Sequence, residues 1–471
     1  MIRFAVAVYL VLILPRLWTF GMFLDGTIYA SIARNMAEGL GGFNAPYYGD
    51  TAEKVFYWHP SLAMWLHSLL YRVFGDRLLI DTLYGFIAGS VVVYLVFQIL
   101  RLVDFGGGAK PGAWGGVLLV SLAPMTSWVF SNNMLEASMA MFVLASVYLQ
   151  LKGIHQTPRK MAAMFFLAGL CLALAVLSKN VAGLFPLILP VSYYVIFRSI
   201  SFKKTFVMSL HLAGSALACI WAILYLANSI GFYEEYLRHQ LLPSVAGELA
   251  GESTGFLRNT WLILAELIGG AVVLAAATFI FKKQSEVGFH RPALFFLLLG
   301  ISGTLPLFFI PKFRSFYLYP GLVFYFLSMA AFFRPTLTAL EKRFLESVKF
   351  RRYVNALALL LTFLAVGLFI AGKDHPARLK EFKHDVYDNG FSIPPRVDVA
   401  DCSRTRDYTM IAAFQRYHKV SLLQDAPNQP EWIFEDSKKP CDIPPKCEKI
   451  NRQDSLRYNM YKCAFFKKPK N

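Results

Sequence analysis

Residues 79–103 read LIDTLYGFIAGSVVVYLVFQILRLV, and this stretch decides the fold. The run is apolar throughout, and its charged residues, Asp81 and Arg101, lie near its two ends. A helix rises about 1.5 Å per residue, so about 20 apolar residues cross the hydrocarbon core of a bilayer. Because apolar residues follow one another without alternation, the stretch predicts a transmembrane helix and not a strand of a membrane barrel.

Similar apolar runs recur along most of the chain. Of the 471 residues, 56% are hydrophobic and only 16% are charged, which is too little charge to cover a soluble protein of this size. The first run contains Pro15-Arg16 and lacks a small-residue cleavage site, so we expect an uncleaved anchor. The sequence predicts a polytopic α-helical membrane protein with about eleven spans, near 2–22, 79–103, 112–130, 134–151, 161–177, 181–197, 206–229, 259–281, 292–310, 316–333 and 353–372.

The formal net charge of +17 is explained by loop charges. Lysine and arginine gather in alternate connections, near 101–110, 152–160, 198–204, 282–291 and 334–352. The positive-inside rule places these connections in the cytoplasm, together with the N-terminus. Residues 23–78, the loop 230–258 and everything after 372 then lie outside. No base-reading or RNA-binding motif accompanies the charge, so nucleic acid is not an expected partner.

Residues 373–471 are polar and contain no apolar run of membrane length. The sequence therefore divides into a transmembrane domain, 1–372, whose first outer loop 23–78 carries two amphipathic surface helices, and an extracytoplasmic domain, 373–471. Short strands are predicted at Arg396–Ala400, Lys419–Leu423 and Glu431–Phe434, with a helix at Thr405–Tyr417. This pattern indicates a small α/β domain.

Four of the six cysteines lie in the predicted outer domain. An even number of cysteines in an oxidising compartment indicates two disulfides, and four cysteines allow three connectivities. A zinc site is the alternative, but the spacing matches no common zinc motif. The disulfide candidates are Cys402, Cys441, Cys447 and Cys463.

Two acids stand at the predicted outer surface. Asp25 follows the first span and begins an amphipathic segment, predicted to lie on the membrane surface. Its apolar side includes Tyr29, Ile32 and Met36, and its polar side carries Arg34, Asn35 and Glu38. Glu136 lies in the first turn of the fourth span, after a very short outer loop. An acid at the edge of a span is a candidate functional residue. The structural alternatives are a helix N-cap for Asp25 and a favourable helix dipole for Glu136.

A second amphipathic stretch, 61–74, follows Tyr57-Trp58-His59-Pro60 and ends at Gly75. Its predicted apolar face consists of Trp65, Leu66, Leu69, Leu70 and Val73. Aromatic residues are common at bilayer interfaces, so Tyr57 and His59 are candidates for an interface or acceptor site.

Three basic residues are predicted on the outer side, where the positive-inside rule expects few of them. Lys179 lies between the fifth and sixth spans, and Lys312 and Arg314 precede Tyr317-Leu318-Tyr319-Pro320. Snorkelling is the structural alternative for such a lysine. Three outer cations in tight turns beside apolar spans favour a site for a lipid phosphate.

Taken together, these features resemble the GT-C membrane glycosyltransferases of the protein O-mannosyltransferase and lipid A aminoarabinose transferase (ArnT-like) type. The resemblance covers roughly 1–335. It rests on Asp25 through Met36, on His59-Pro60-Ser61-Leu62 through Phe74-Gly75, on Glu136, on Leu177-Ser178-Lys179-Asn180, and on the basic turn before Tyr317. The family often has a second acid where this chain has Gly26, and a lysine where it has His59.

The resemblance implies a polyprenyl-phosphate-linked sugar as donor and transfer to a lipid, glycan or protein hydroxyl, with inversion. It implies that Lys179, Lys312 and Arg314 bind the donor phosphate. Tyr317 joins Tyr57 and His59 as a candidate for the acceptor or interface site. A carboxylate should accept the hydroxyl proton, and we assign this role to Asp25. Glu136 would orient the acceptor or stabilise the sugar cation. Lipid A or another cell-envelope component would be modified at the periplasmic face of a bacterial inner membrane.

Three alternatives stay open at this stage. A transporter or flippase of a lipid-linked substrate explains the spans and the outer cations, although no internal repeat supports it. A membrane receptor with a ligand-binding outer domain is a further possibility. No cofactor is certain, but Asp25 and Glu136 would be able to share a divalent cation if more ligands joined them. No phosphate-binding glycine loop is present.

Overall fold

The computed structural model describes residues 1–50, 54–103, 112–248, 255–280, 290–310, 313–388, 393–404, 407–423, 430–451 and 454–464. Most of these residues are helical, as the continuous apolar runs predict. The α-helices are α1 Ile2–Ile13, α2 Leu24–Ala37, α3 Leu62–Phe74, α4 Leu78–Leu102, α5 Ala113–Leu122, α6 Pro124–Ser131, α7 Leu135–Gly153, α8 Pro158–Ser178, α9 Leu189–Phe197, α10 Phe202–Leu226, α11 Ile230–Tyr236, α12 Leu242–Ala246, α13 Phe256–Ile280, α14 Arg291–Thr304, α15 Tyr319–Phe332, α16 Arg334–Glu346, α17 Val348–Ala371, α18 Lys380–Phe382 and α19 Tyr408–His418.

Within the described residues, 8 helices are long and apolar enough to cross a membrane, and the count reaches 9 if a bent pair forms one span. That pair is α5 and α6, which meet at 70°. Ala123 is extended at the break and Pro124 has no N–H to continue the helix. The first and sixth predicted spans fall on shorter apolar helices, α1 and Val181–Phe197. The prediction of a multi-pass helical membrane protein is confirmed, with an approximate number of spans.

Contacts divide the chain into two compact units. The first unit contains Met1–Leu17, Tyr57–Ala63 and Thr82–Ala371, and the second contains Trp18–Phe56, Met64–Asp81 and Gly372–Asn471. Most of the predicted first outer loop therefore groups with the C-terminal residues. The division at residue 372 into a membrane domain and an outer domain stays a prediction.

In the first unit, glycines let neighbouring helices approach closely. Gly303 of α14 faces Gly321 of α15, and a Cβ at Gly321 would lie 2.7 Å from Cγ2 of Thr304 and 3.0 Å from the carbonyl carbon of Gly303. Real Cβ atoms do not tolerate such distances. Small residues at helix contacts are typical of membrane proteins, in which close packing and not water exclusion holds helices together.

The strands of the described residues are β1 Gly41–Gly42, β2 Ala45–Pro46, β3 Asp398–Asp401, β4 Ser421–Leu423, β5 Trp432–Asp436, β6 Cys447–Lys449 and β7 Tyr458–Cys463. In the second unit, β3 to β7 form a five-stranded sheet with the order β4-β3-β5-β7-β6. β3 pairs in parallel with β4 and β5, whereas β7 is antiparallel to β5 and β6. Helix α19 connects β3 to β4, and Phe382, Phe414 and Phe434 lie in the buried core. The prediction of a small α/β domain is confirmed, although Thr405 of the predicted helix lies outside the described residues.

The cysteines of the second unit form two disulfides. Cys402 joins Cys441, with Cα atoms 6.0 Å apart. Cys447 joins Cys463, its direct partner in the β6–β7 ladder. This pairing is one of the three connectivities that the sequence leaves open.

The amphipathic interpretation of α2 is wrong in one respect, because its polar side is not exposed. Arg34 and Asn35 are 1% and 2% exposed within the second unit. Arg34 Nη1 donates to the Arg416 carbonyl at 2.8 Å, and Asn35 Nδ2 donates to the carbonyls of Tyr47 and Tyr48, each at 3.1 Å. Buried polar groups are tolerated when they are hydrogen-bonded in this way. A sequence pattern alone does not reveal such distant backbone partners.

Helix α3 ends at Gly75 as predicted, with φ +76°, a conformation that glycine adopts readily. Its buried side carries Met64, His67, Ser68 and Tyr71. The predicted apolar face is the more exposed one, and Val73 is 73% exposed.

A charged cluster joins α3, the start of α4 and α19 inside the second unit. Arg416 Nε donates to Asp81 at 2.8 Å, and its Nη1 lies 2.8 Å from Asp76. The Tyr71 hydroxyl also donates to Asp81. Burial of His67 lowers its pKa to about 3, and the nearby charge of Arg416 acts in the same direction. His67 therefore stays neutral at physiological pH, and its Nε2 donates to the Ile80 carbonyl at 2.7 Å.

Candidate functional site

Lys179 is held inside the first unit by the end of one helix and the start of the next. It follows the last residue of α8, and its backbone leaves the helical conformation. The Asn180 side chain then accepts from the Ala182 N–H at 3.0 Å and caps the 3-10 segment Val181–Ile188. Lys179 is 2% exposed, so the snorkelling interpretation is wrong for this residue.

The partner of the Lys179 ammonium is Glu136. Glu136 is the second residue of α7 and lies in its first turn, as predicted. The two side chains form a hydrogen-bonded ion pair and are only 3% and 1% exposed. A buried ion pair needs both members, because removing one leaves an uncompensated charge at a cost of about 3–5 kcal/mol.

Two aromatic rings complete the surroundings of Lys179. Its Nζ lies 4.5 Å from the ring centroid of Tyr317 and 5.5 Å from that of Phe316. Both rings belong to the 3-10 turn Ser315–Leu318, and Trp128 of α6 stacks on Phe316 at 5.1 Å. The faces of aromatic rings attract cations, so the turn and the carboxylate of Glu136 together fix the ammonium position.

A cavity opens beside this pair, within the first unit. It holds about 640 Å³ of empty space, including the open space at its mouth. Lys179, His59 and Tyr317 line it, and so do Trp58 and Asn180. The cavity thus brings together predicted residues from three distant parts of the sequence.

Residues of the predicted outer loop 230–258 also line the cavity, but sequence reasoning did not single them out. Tyr236 and Gln240 belong to this wall. The Tyr236 hydroxyl donates to the Lys179 carbonyl at 3.5 Å. The only signal for them in the sequence is a cluster of aromatic and polar residues in a loop between spans.

Other predicted residues of the first unit lie elsewhere or are not described. Tyr57 stacks on Phe232, with ring centroids 5.5 Å apart, and does not line this cavity. Arg314 is exposed and immediately precedes the Ser315–Leu318 turn. Lys312 lies outside the described residues.

Asp25 belongs to the second unit. It is the second residue of α2 and is half-buried, while Phe23 occupies the N-cap position. The N-cap interpretation of Asp25 is therefore wrong. A carboxylate in the first turn is still favoured by the helix dipole.

The described ranges contain no group of three or more histidine, cysteine, aspartate or glutamate side chains placed to hold a metal ion. The alternative of a divalent cation at Asp25 and Glu136 gains no further ligand from these residues.

Comparison with known proteins adds to this geometry. Residues 58–227 match the family described as dolichyl-phosphate-mannose-protein mannosyltransferase. This segment includes His59, Glu136 and Lys179 but not Asp25. The comparison with curated proteins found no significant sequence match.

Solved structures share the fold over nearly the whole chain. ArnT from Cupriavidus metallidurans bound to undecaprenyl phosphate is 14% identical, with a TM-score of 0.67 and 97% of each chain covered. The same protein in its apo state gives 15% identity and a TM-score of 0.67, covering 97% of this chain and 95% of that one. The match to the apo oligosaccharyltransferase of Archaeoglobus fulgidus is weaker, with 15% identity, a TM-score of 0.48, and coverage of 91% of this chain and 65% of that one. The predicted resemblance is confirmed, and this chain is a multi-pass membrane protein with an ArnT-like GT-C fold whose residues 58–227 match the mannosyltransferase family.

Proposed function

We propose that this protein is a membrane glycosyltransferase that moves a sugar from a polyprenyl-phosphate-linked donor to a hydroxyl of a lipid, glycan or protein acceptor. The observation that carries the proposal is the buried Lys179, which Glu136 and the rings of Phe316 and Tyr317 hold at the wall of a cavity. The ArnT-like fold and the family match of 58–227 support it.

The leaving group of such a reaction is a lipid phosphate. Negative charge develops on it as the sugar–oxygen bond breaks, and a fixed cation in surroundings of low polarity stabilises that charge strongly. Lys179 is suited to this role because it lines the cavity and its charge is held in place by Glu136. Arg314, which immediately precedes the Ser315–Leu318 turn, is proposed as a further phosphate ligand. Lys312 is proposed for the same role from its place in the sequence alone. Glu136 is then a positioning residue that acts through Lys179.

The transfer step needs a base. The acceptor oxygen attacks the anomeric carbon, the bond from that carbon to the phosphate oxygen breaks, and the bonding pair leaves with the lipid phosphate. The proton of the attacking hydroxyl goes to a carboxylate, for which Asp25 is our candidate. A single direct attack inverts the anomeric centre. His59 and Tyr317, which line the cavity, are proposed to contact the sugar or the acceptor, and Tyr57 to support the loop that carries His59.

The site of action is proposed to be the periplasmic face of a bacterial inner membrane. The loop charges favour an N-terminus in the cytoplasm and a C-terminal domain outside. The two disulfides are consistent with an oxidising compartment. The transporter alternative gains no support from the shared fold.

The test is sugar transfer by the purified full-length protein from a radiolabelled polyprenyl-phosphate sugar. Lys179→Ala should lower turnover by roughly 100-fold or more, since the loss of one charge-stabilising group commonly costs that much. Lys160→Ala is the matched control, because Lys160 is exposed on the same helix, α8. Donor-dependent transfer at the normal rate by a folded Lys179→Ala protein would overturn the assignment.

Asp25 is tested separately. Asp25→Asn should abolish transfer without loss of expression or membrane insertion, because the amide is nearly isosteric but is not a base. Glu234→Gln serves as control, since Glu234 is an exposed carboxylate on α11. Turnover of Asp25→Asn close to that of the control would remove Asp25 as the base.

Arg314 is tested through the donor. Arg314→Ala should raise the donor concentration needed for half-maximal rate more than it changes the acceptor dependence. If the donor dependence were unchanged, Arg314 would not bind the donor phosphate and its role would be structural only.

A further inference from the structure

Helix α13 carries a carboxylate inside a long apolar stretch. Glu266 is the eleventh residue of this helix, which has 25 residues and is apolar enough to span a membrane. Ten residues of helix place it about 15 Å along the axis from Phe256. A carboxylate at such a depth is costly unless a partner compensates it, and it is a functional candidate by default. None of the roles proposed for the transfer reaction involves Glu266.

The partner of Glu266 is the backbone at the start of α6. Its Oε2 accepts from the Met125 N–H at 2.9 Å. Met125 follows Pro124, the first residue of α6, at the point where α5 and α6 meet at 70°. This break deprives the Met125 N–H of a carbonyl from a preceding helical turn, and a carboxylate also suits the positive end of the α6 dipole. Glu266 therefore fixes the point from which α6 starts.

Trp128, about one turn further along α6, connects this anchor to the candidate site. Its ring stacks on that of Phe316, with ring centroids 5.1 Å apart. The centroid of Phe316 in turn lies 5.5 Å from Nζ of Lys179. A shift of α6 would thus move an aromatic ring that contacts the ammonium.

The other end of α6 leads to the acidic partner of Lys179. Residues 132–134 separate α6 from α7, and Glu136 lies in the first turn of α7. The Met134 N–H donates to the Val129 carbonyl at 3.2 Å, which ties this short turn back to α6. The position of α6 therefore affects the Glu136 carboxylate as well as the Phe316 ring.

We propose that Glu266 is a positioning residue for the transfer reaction. It holds the start of α6, and α6 supports two contacts of the Lys179 ammonium, the Phe316 ring and the Glu136 carboxylate. The inference rests on the proposed function, because it concerns the same cation and the same leaving group. Without Glu266 every group of the site is still present, but the cation is displaced, and the stabilisation of a developing charge depends on where the cation lies.

A purely structural role of Glu266 would have a different effect. A hydrogen bond that only supports folding lowers the unfolding temperature but leaves the turnover of each folded molecule unchanged. A positioning role lowers kcat of the folded protein. Because the extra charge on the leaving phosphate develops only in the transition state, kcat should fall more than the donor KM rises.

The test is transfer from a radiolabelled polyprenyl-phosphate sugar by purified full-length variants, at a temperature below their unfolding midpoints. Glu266→Ala should lower kcat by roughly tenfold, because a displaced cation loses part of its effect. Glu266→Gln keeps an oxygen for the Met125 N–H and should restore most of the rate. Glu266→Asp keeps the charge but is one methylene shorter, so it should also lower kcat, and it replaces Glu266→Ala in the test if that variant does not fold.

Thr278→Val is the matched control. Thr278 lies on the same helix, and its hydroxyl hydrogen-bonds to the Thr336 hydroxyl of α16 at 2.8 Å. Valine has nearly the same shape as threonine, so this variant removes a hydrogen bond between α13 and a different helix. It should leave kcat unchanged even where it lowers the unfolding temperature.

A double variant tests whether Glu266 acts through α6. Trp128→Leu removes the stack on Phe316 and should itself lower kcat. Adding Glu266→Ala to Trp128→Leu should then cost much less than Glu266→Ala costs alone, because residues that act through one another are not additive. Fully additive losses would overturn the proposal.

The outcomes also separate this inference from the proposed function. A normal kcat in folded Glu266→Ala or Glu266→Asp, beside a wild type that transfers sugar and an impaired Lys179→Ala, would overturn the role of Glu266 alone. A loss of kcat in Thr278→Val equal to that in Glu266→Ala would also overturn it, since any weakening of α13 would then suffice. A wild type that transfers no sugar would overturn the proposed function and this inference with it.

Discussion

Glu136 and Lys179 are 43 residues apart, and their ion pair is the feature of the candidate site that the sequence predicted least completely. Loop charges and span ends predict that both residues lie at one side of the membrane. Their contact depends on the rotation of α7 and α8 about their axes, which spans of nearly uniform apolarity do not specify. The sequence therefore predicted two candidate residues but not that one holds the other.

The ion pair between Glu136 and Lys179 leads to a prediction about the stability of the protein. Lys179→Met should destabilise the protein by about 3–5 kcal/mol, because Glu136 is left as a buried charge. The double variant Glu136→Gln/Lys179→Met should recover most of that loss while transfer stays abolished. Thermal unfolding of both variants in detergent measures the effect. If the double variant were less stable than Lys179→Met alone, the pair would not be coupled.

His67 predicts a pH dependence at the residue scale. Its pKa is lowered to about 3 in the folded protein from 6.5, so below about pH 6.5 the unfolded chain takes up a proton that the folded one does not. His67 therefore does not lower the free energy of unfolding above pH 6.5. Below that pH, the residue lowers the free energy of unfolding by about 1.4 kcal/mol for each pH unit. Unfolding midpoints of wild type and His67→Gln between pH 7 and pH 5 measure it, and the variant should show the flatter profile.

The control for this experiment is His239→Gln. His239 is on the surface, with 70% of its side chain exposed. Its replacement should leave the pH profile unchanged. A profile of His67→Gln as steep as that of wild type would contradict the prediction.

Among the helices, the contact between α14 and α15 predicts a sharp difference between two glycines. Gly321→Ala should lower the unfolding temperature clearly, because the new Cβ would collide with Gly303 and Thr304. Gly367→Ala in α17 has no atom within 4 Å of its added Cβ and should be neutral or stabilising, since alanine favours helix by about 1 kcal/mol. Equal effects of the two substitutions would contradict close packing at Gly321.

The two amphipathic helices show how far periodicity predicts an element. The positions of α2 and α3 and the end of α3 at Gly75 were predicted from local residues. The environment of α2 was not, because the carbonyl that receives Arg34 lies 382 positions away at Arg416. Local patterns specify that a helix forms, whereas distant backbone groups specify which side is buried.

For the whole molecule, the fold class followed from the length and number of the apolar runs, because a bilayer leaves helices and closed barrels as the only spanning structures. The break at Pro124 and the short helix α1 were not predicted, because the spans were assigned from apolar length, although Pro124 and Pro15 are residues at which helices commonly break. Four cysteines allow three pairings, and only the strand register brings Cys447 opposite Cys463.

The two disulfides predict how many cysteines react with a thiol reagent before and after reduction. In denaturant without reductant, only Cys171 and Cys219 should react, because the other four cysteines are paired. After reduction, all 6 cysteines of the chain should react. Peptide mapping of the unreduced protein should recover Cys402 with Cys441 and Cys447 with Cys463. Six reactive thiols before reduction would contradict both bonds.

Under the proposed chemistry, the contacts that the Lys179 ammonium already makes inside the protein affect turnover. Before the reaction the donor phosphodiester carries one negative charge, and afterwards the lipid phosphate carries up to two. A lysine with no other partner would hold that product more tightly than the donor. Glu136 and two aromatic rings already contact the ammonium, so its attraction for the dianionic product is weaker. The polyprenyl phosphate can then dissociate, and the next donor can bind.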